Sequence, residues 1–505
     1  MDRSANLVRL ADETFDVLVI GGGITGAGVA LDAVLRGLSV GLIERDDFAS
    51  GTSSKSSKLI HGGLRYLQRL HLGQVRQGLH ERRVLEFMAP HLVRRTPFLF
   101  PRFGSRNIGV RAGLTLYDVL GAGSGYSHHR LVRRGEVAVH APALRETNGA
   151  FEYWDARTDD ARLVWAVAQT ALENGAAIAN HCAATGFVHI EGRVGGVSVY
   201  DGETDATFDV RAPVVVNATG VWVDAVRALE HKGVERDVRP SKGIHIVVSA
   251  SRLRTESALI LPTPDGRFLF VVPWENDTVL IGTTDADYDG PLDDVVAEPD
   301  EVEWILAVVN RVLSDPLSDG DIVATFAGLR PLVAQGGRTK DVSRKPLIEV
   351  SSSGLITATG GKLTAWRPMA VRTVDHVLRG LDTHAKSKTD RTRLVGAAAY
   401  EGVVPALEVV LEDLGLDKAH APRLYHRYGS QSSQVVRLAR EEPTLAEPLH
   451  PALPYLRAEA EFAIRTEGAR TIDDVLARRL RASLTSRDGG AAASDWVRGR
   501  LILAT

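Results

Sequence analysis

The chain has 505 residues, is 44% hydrophobic and 24% charged, and carries a formal net charge of -3. That length allows two or three domains with large cores, and the near-neutral charge excludes a dedicated nucleic-acid binder, which would show a clear basic excess. The single cysteine, Cys182, leaves no intrachain disulfide, zinc ribbon, iron–sulfur cluster or dithiol pair, so no metal is expected and a reducing compartment fits. Met1 to Glu13 lacks the apolar core of a signal peptide. No run of about 18 apolar residues predicts a membrane-spanning helix.

Phe15 to Ile20 reads as a short buried strand. Gly21-Gly22-Gly23-Ile24-Thr25-Gly26 follows, and then a helix with Ala27, Ala30, Leu31, Val34 and Leu35 on one face. Gly37 ends it. Leu38 to Ile43 is a second apolar run, closed by Glu44, which completes a βαβ unit. Asp46 to Gly63 is rich in Ser and Gly and reads as an ordered loop, because Leu59-Ile60 interrupts it. Arg65 to Arg95 is basic and helical in tendency. Val214 to Val216 is another buried strand, ending in Asn217-Ala218-Thr219-Gly220. Ile244 to Val248, Phe268 to Val272 and Val279 to Ile281 predict strands of a separate antiparallel sheet. Leu355 to Ala358 is a last strand before Gly360-Gly361. Beyond about Asp382 the patterns are helical. Thr471-Ile472-Asp473-Asp474 resembles a capping box, with Ile472, Val475, Leu476, Leu480 and Leu484 on one face of the helix after it. Gly489 to Ala493 is expected to be a mobile loop.

A glycine-rich GxGxxG turn is a weak signal alone. Here it lies between a strand and a helix, and Glu44 closes the next strand 23 residues after Gly21, near the expected spacing of about 20. The glycines admit a pyrophosphate, the helix N-terminus supplies N–H groups, and the carboxylate takes ribose hydroxyls. The fingerprint does not separate FAD from NAD. The Asn217-Ala218-Thr219-Gly220 strand end and the Thr359-Gly360-Gly361-Lys362 turn favour FAD, since both return to an N-terminal nucleotide. N–H groups at the second turn would stabilise negative charge on reduced flavin.

Gly51-Thr52-Ser53-Ser54-Lys55-Ser56-Ser57-Lys58-Leu59-Ile60-His61-Gly62-Gly63-Leu64-Arg65-Tyr66-Leu67 resembles the signature of the FAD-dependent glycerol-3-phosphate dehydrogenases. The likeness continues through Arg239 to Val247, Val272-Pro273-Trp274, Ile281 to Asp285, Gly328-Leu329-Arg330-Pro331 and Gly360-Gly361-Lys362-Leu363-Thr364, in family order over residues 15 to 368. Glu461 to Leu484 is similar to the family's helical C-terminal domain. The resemblance implies a D-amino-acid-oxidase-like α/β (α+β) fold. A Rossmann-like FAD-binding domain would interleave with a mixed or antiparallel substrate sheet, with an all-helical domain after it. The expected division is 14–384 for the oxidoreductase (FAD-binding about 14–95, 150–240 and 330–384; substrate about 96–149 and 241–329) and 385–505 for the helical domain. It also implies noncovalent FAD, conversion of glycerol 3-phosphate to dihydroxyacetone phosphate, a membrane quinone as acceptor, a homodimer, and a place on the inner face of the cytoplasmic membrane. Two positions depart from the family: Trp366 stands where Tyr is usual, and Leu480 where Thr is common after the paired arginines.

The substrate residues implied are Arg65, Tyr66, His245, Arg330, Arg344 and Lys362. Those expected at the cofactor are Gly21, Gly23, Ile24, Thr25, Gly26, Glu44, Arg45, Thr52, Ser53, Ser57, Lys58, Leu59, His61, Gly63, Ala218, Gly220, Gly360, Gly361, Lys362, Leu363 and Thr364. Arginines suit a phosphate clamp, because a guanidinium binds phosphate through two parallel hydrogen bonds. Arg330, between Leu329 and Pro331, reads as part of a buried turn, whereas Arg344 beside Lys345 reads equally well as surface. His245 lies in a strand, and its ordinary pKa near working pH suits a general base. Lys362 fits either base or phosphate anchor, and sequence does not rank the two. Tyr66 reads as hydrogen-bond donor or packing aromatic. Lys58, followed by Leu59-Ile60, is expected to pack into the domain, and Cys182 to be a buried small residue. With no haem motif, electrons must leave to a diffusible acceptor, either quinone or, in a glycerol-3-phosphate oxidase, oxygen. The basic stretch Arg65 to Arg95, with Leu70, Leu72, Leu79, Leu85, Phe87 and Met88 interleaved, is a candidate membrane surface. The cluster His128-His129-Arg130 with Arg133-Arg134 is a second.

Overall fold

The computed structural model describes residues 1–104, 108–123, 125–231, 233, 237–333 and 346–504; of Arg65, Gln68, Arg69 and Ala504 it describes the backbone. Six short strands form the first sheet, in the spatial order Leu347–Val350, Ile356–Thr359, Val214–Asn217, Val17–Ile20, Val40–Ile43 and Ala177–Ala179. All neighbours are parallel except the antiparallel pair at the Leu347–Val350 edge. A parallel sheet is covered on both faces, so its strands read as unbroken apolar runs. Val17 and Val19 pack under helices Ile24–Leu35, Asp160–Glu173 and Trp366–Gly380. Leu18 and Ile20 face a three-stranded antiparallel sheet, Cys182–Ile190, Arg193–Asp201 and Thr207–Arg211.

A second, ten-stranded sheet is almost wholly antiparallel. Its longest strands lie near one edge, where Val238–Ser249 pairs with Thr278–Gly282 on one side and Ile322–Val333 on the other. Strand alternation divides its side chains. Ile244, Ile246 and Val248 pack on helix Pro299–Asn310, while Val247 joins the core on the opposite face. The interleaving is finer than the sequence suggested. Leu59–Ile60 and Ala150–Arg157, grouped by sequence with the nucleotide part, pair in this large sheet instead.

From Tyr400 onward the described chain is mostly helical. The capping box at Thr471 is present: Asp474 N donates to Thr471 Oγ1 at 3.1 Å, and Thr471 N donates to Asp474 Oδ2 at 3.0 Å. The helix expected after it is not continuous. Asp474–Arg479 is a wide π-type turn, and Arg481 is left-handed at φ 65° before Ala482–Thr485 resumes. Gly489 to Ala493 is an ordered turn, because Asp488 accepts the N–H groups of Gly490 and Ala492 at 3.0 and 2.9 Å.

Candidate active site

A cavity of about 510 Å³ opens where the parallel strands end against the large sheet. The first glycine turn forms one wall. Gly21 is left-handed at φ 109°, and a Cβ there would stand 2.8 Å from Ala218 O on the neighbouring strand end. A Cβ on Gly26 would overlap Gly21 O at 1.8 Å, so the helix can sit directly on the turn. Glu44 accepts the N–H of Gly22 at 2.5 Å and that of Asp46 at 2.9 Å. Burial nevertheless raises its pKa above the usual carboxylate range, outweighing those two donors.

The Ser/Thr loop forms the opposite wall. Ser53 Oγ accepts the Ile24 N–H at 3.0 Å, and Thr52 Oγ1 donates to Leu329 O at 2.6 Å. His61 N donates to Thr364 Oγ1 at 3.1 Å, which ties the end of this loop to the Gly360-Gly361 turn. Both those glycines are left-handed, at φ 83° and 81°, and lead into the short turn Leu363–Ala365.

At the other end the large sheet contributes the polar groups. His245 is 3% exposed and stacks on Phe326, ring centroids 4.6 Å apart and 6° from parallel. Its Nε2 is 2.9 Å from Ser57 Oγ, and its Nδ1 has no hydrogen-bond partner among the described residues. Burial, then the charges of Lys58 and Arg330, push its pKa down to about 3. The environment therefore keeps the imidazole neutral and far less basic than its ordinary pKa led us to expect. Arg330 is opposite Ser241 in the sheet register. Its guanidinium donates to Thr283 Oγ1, Thr284 O and Asp285 Oδ1, each at 3.1 Å. Lys362 Nζ lies over the Tyr66 ring.

The cavity brings together Gly21, Gly23, Ile24, Thr25, Glu44, Arg45, Thr52, Ser53, Ser57, Leu59 and His61 from the N-terminal segments. It adds Tyr66, Ala218, Gly220, His245, Arg330, and Gly360 through Thr364. Gly26, Lys58 and Gly63 do not line it. Lys58 is fully buried and donates to Asp160 and to Ser54 O at 2.9 and 3.0 Å; desolvation lowers its pKa to about 8. Arg344 and the Arg65 side chain lie outside the described residues. Cys182 is 1% exposed, and burial pushes its thiol up to about 12. The sequence reading missed Trp222 and Met369, which also line the cavity, and Phe326 beneath His245; Trp366, which the sequence marked only as a departure from the family, lines it too. Phe326 was accessible: counting back by twos from Arg330 through Gly328 reaches it on the same strand face. Trp366 fills the space that Gly28 leaves, since a Cβ on Gly28 would lie 2.5 Å from its ring.

Residues 16–367 match the family of FAD dependent oxidoreductases, and residues 387–499 match the C-terminal domain of alpha-glycerophosphate oxidase. Glycerol-3-phosphate dehydrogenase 2 of Mycobacterium tuberculosis is 42% identical over 484 residues, covering 94% of this chain and 82% of that protein. The chain belongs to the FAD-dependent glycerol-3-phosphate dehydrogenase family. The human mitochondrial glycerol-3-phosphate dehydrogenase is 37% identical over 508 residues, 95% of this chain and 69% of that one. The crystal structure of the Bacillus halodurans glycerol-3-phosphate dehydrogenase, complexed with FAD, superposes with a TM-score of 0.82. It is 32% identical and covers 99% of this chain and 93% of that one.

FAD is the cofactor of this family, and the residues here fit it. The glycine turn leaves backbone without Cβ atoms where a pyrophosphate must approach closely, and Glu44 ends the second strand where ribose hydroxyls need an acceptor.

Proposed function

We propose that this protein oxidises sn-glycerol 3-phosphate to dihydroxyacetone phosphate and passes the electrons to a membrane quinone. The observation that carries the reading is the cation-bearing, neutral-histidine end of the cavity, with Lys362, Arg330 and His245 converging beside the nucleotide turn. The oxidoreductase part is residues 14–384 and the helical part 385–505. FAD, held noncovalently, supplies the two-electron acceptor for the hydrogen on C2.

In this reading the cofactor is held by the cavity-lining segments expected from sequence, with Gly26, Lys58 and Gly63 supporting the wall from behind. Lys362 and Arg330, with Arg65 and Arg344, take the phosphate. The Lys362 ammonium lies over the face of the Tyr66 ring, a contact that favours the anchor role over that of base. His245 Nε2, in contact with Ser57, receives the proton of the C2 hydroxyl. Burial keeps it neutral, so its Nε2 lone pair is available to that proton rather than the ring standing as a cation.

Quinone access requires membrane docking, and among the described residues no helix is long and apolar enough to cross a bilayer. Leu79, Leu85 and Met88 are buried, which removes them from the expected docking face. Leu70, Leu72 and Phe87 remain exposed, and exposed Ile108, on a helix that packs against the turn ending at Leu70, adds to them, with Arg76 and Arg111 exposed on the same helices. That surface suits the anionic inner face of the cytoplasmic membrane. The His129 cluster suits it less, because His129, Arg130 and Arg134 are each paired with a carboxylate. The homodimer belongs to the same reading and predicts a solution mass about twice 54.6 kDa.

The test is anaerobic. Glycerol 3-phosphate should bleach the oxidised flavin spectrum, and glycerol or glycerate should not. A flavin that stays oxidised overturns the substrate. The match of residues 387–499 to an oxidase domain favours oxygen as a second reading of the acceptor. Stoichiometric peroxide in air, with no reduction of a soluble quinone analogue, would select it.

A further inference from the structure

Two loops carry Glu44, Arg45, Thr52, Ser53 and Ser57, all proposed to meet the cofactor, and both are held from behind by one short segment of the helical part. Behind the first loop, Asp47 is fully buried. Its Oδ2 accepts from Arg478 Nε at 2.9 Å and Arg479 Nη1 at 2.7 Å; its Oδ1 accepts from Arg479 Nη2 at 2.9 Å and Asn180 Nδ2 at 3.1 Å. Glu44, Arg45 and Asp46, the residues just before it, line the cavity.

Behind the second loop, Asp160 is fully buried as well. Its Oδ2 accepts from Ser56 N and Ser56 Oγ at 3.0 and 2.7 Å, and its Oδ1 from Arg481 Nη2 at 3.1 Å. Arg481 Nη2 also donates to Ser54 O at 2.8 Å. Thr52, Ser53 and Ser57 of this loop line the cavity.

The three arginines leave one turn in two directions. Arg481 adopts the left-handed conformation, φ 65°, directly after the wide turn that carries Arg478 and Arg479. That reversal lets one four-residue segment reach both carboxylates. None of the three lines the cavity, so they act through the loops. A planar guanidinium with several fixed donors suits this bridging, and a buried carboxylate stripped of its cation is strongly disfavoured.

We infer that Arg478, Arg479 and Arg481 are positioning residues: a clamp from the helical part that sets FAD affinity by holding the Glu44 and Thr52–Ser57 loops in register across the cavity. The inference rests on the proposal that those loops meet FAD.

The test is FAD titration of the deflavinated full-length protein, followed by flavin fluorescence quenching, with far-UV circular dichroism of each apoprotein. Each variant leaves one cation on its carboxylate, since Arg479 still holds Asp47 in Arg478→Gln and Lys58 still holds Asp160 in Arg481→Gln. Each should raise the FAD Kd by about tenfold or more. Arg478→Lys should return it to within about threefold of wild type, and saturating FAD should restore kcat in Arg478→Gln with KM for glycerol 3-phosphate unchanged. The control is Arg423→Gln. It breaks a buried pair with Glu459, 2.6 Å long, inside the helical part and away from both loops, and it should leave the Kd within about twofold. An unchanged Kd in Arg478→Gln overturns the clamp. So does equal weakening in Arg423→Gln, which would make the effect one of general stability. A folded wild-type protein that takes up no FAD overturns the cofactor assignment itself, and the clamp with it.

Discussion

Lys362 Nζ sits 3.5 Å from the centroid of the Tyr66 ring. An ammonium over an aromatic face is held charged and in place, worth about 1 kcal/mol when partly desolvated. Tyr66→Leu should therefore raise KM for glycerol 3-phosphate by about fivefold, and Tyr66→Phe, which keeps the face, by less than about twofold. Steady-state kinetics on the FAD-saturated variants checks this. Equal effects from both would assign the contribution to the Tyr66 hydroxyl instead.

His245 and Ser57 share a 2.9 Å hydrogen bond at the substrate end of the cavity. Proton removal by a positioned side chain contributes about 10²–10⁴-fold to rate. His245→Asn should lower the rate of anaerobic flavin reduction by that order while FAD stays bound. Ser57→Ala, losing one neutral hydrogen bond of about 1 kcal/mol, should cost about tenfold or less. Stopped-flow reduction at saturating substrate separates the two. If His245→Asn reduces at the wild-type rate, the proton goes elsewhere and Lys362 becomes the base.

Three histidines are held neutral inside the fold. Burial lowers His91 and His245 to about 3 and His426 to about 4. An unfolded histidine titrates near 6.5. Between these values the unfolded chain binds more protons than the folded one, so stability rises with pH. The contribution is complete above about pH 6.5 and is lost as pH falls toward 4 and then 3. Near pH 5 these three groups should account for an uptake of about three protons on unfolding. The slope of unfolding free energy against pH, measured by urea denaturation, should fall by about one proton in His91→Phe. An unaltered slope would show that His91 is protonated in the native protein.

Gly28 and Trp366 are a matched pair. A Cβ at position 28 would meet the indole at 2.5 Å, and overpacking of a tight core costs about 1–3 kcal/mol. Gly28→Ala should lower Tm accordingly, and Trp366→Phe in the same chain should recover most of the loss. If the double variant is no more stable than Gly28→Ala, the strain lies in the backbone rather than against the ring.

The nucleotide half was legible because its signals are local. The strand Val17–Ile20, the turn at Gly21 and Glu44 follow one another within a single βαβ unit, and the physics of a close phosphate approach dictates the residue types. The strand placement of His245 was legible from alternation, but its basicity was not. That property depends first on burial and then on the charges of Lys58 and Arg330, which lie far from it in sequence and are brought near only by the fold. Lys58 illustrates the same gap. The apolar Leu59-Ile60 after it correctly indicated that it packs into the domain, but its place beside the Ser/Thr loop also suggested a cofactor contact, and its actual partner, Asp160, lies far along the chain. The left-handed Arg481 broke a helix that the apolar pattern at Val475, Leu476, Leu480 and Leu484 had predicted as continuous. All four of these side chains are nonetheless buried, and Ile472 of the same pattern is half-buried, so the pattern reported burial well and continuity wrongly.

The order of strands in the parallel sheet also governs how the protein is made. Val17–Ile20 lies at its centre, yet one neighbour, Val214–Asn217, and the strand beyond it, Ile356–Thr359, emerge from the ribosome much later. Until then the first βαβ unit presents an open edge of unpaired backbone, the kind of edge that recruits other chains. Pairings so distant in sequence form slowly. Arg478 to Arg481 follow later still. Nascent chains should therefore depend on chaperones through most of synthesis, and flavin should be acquired after translation rather than during it.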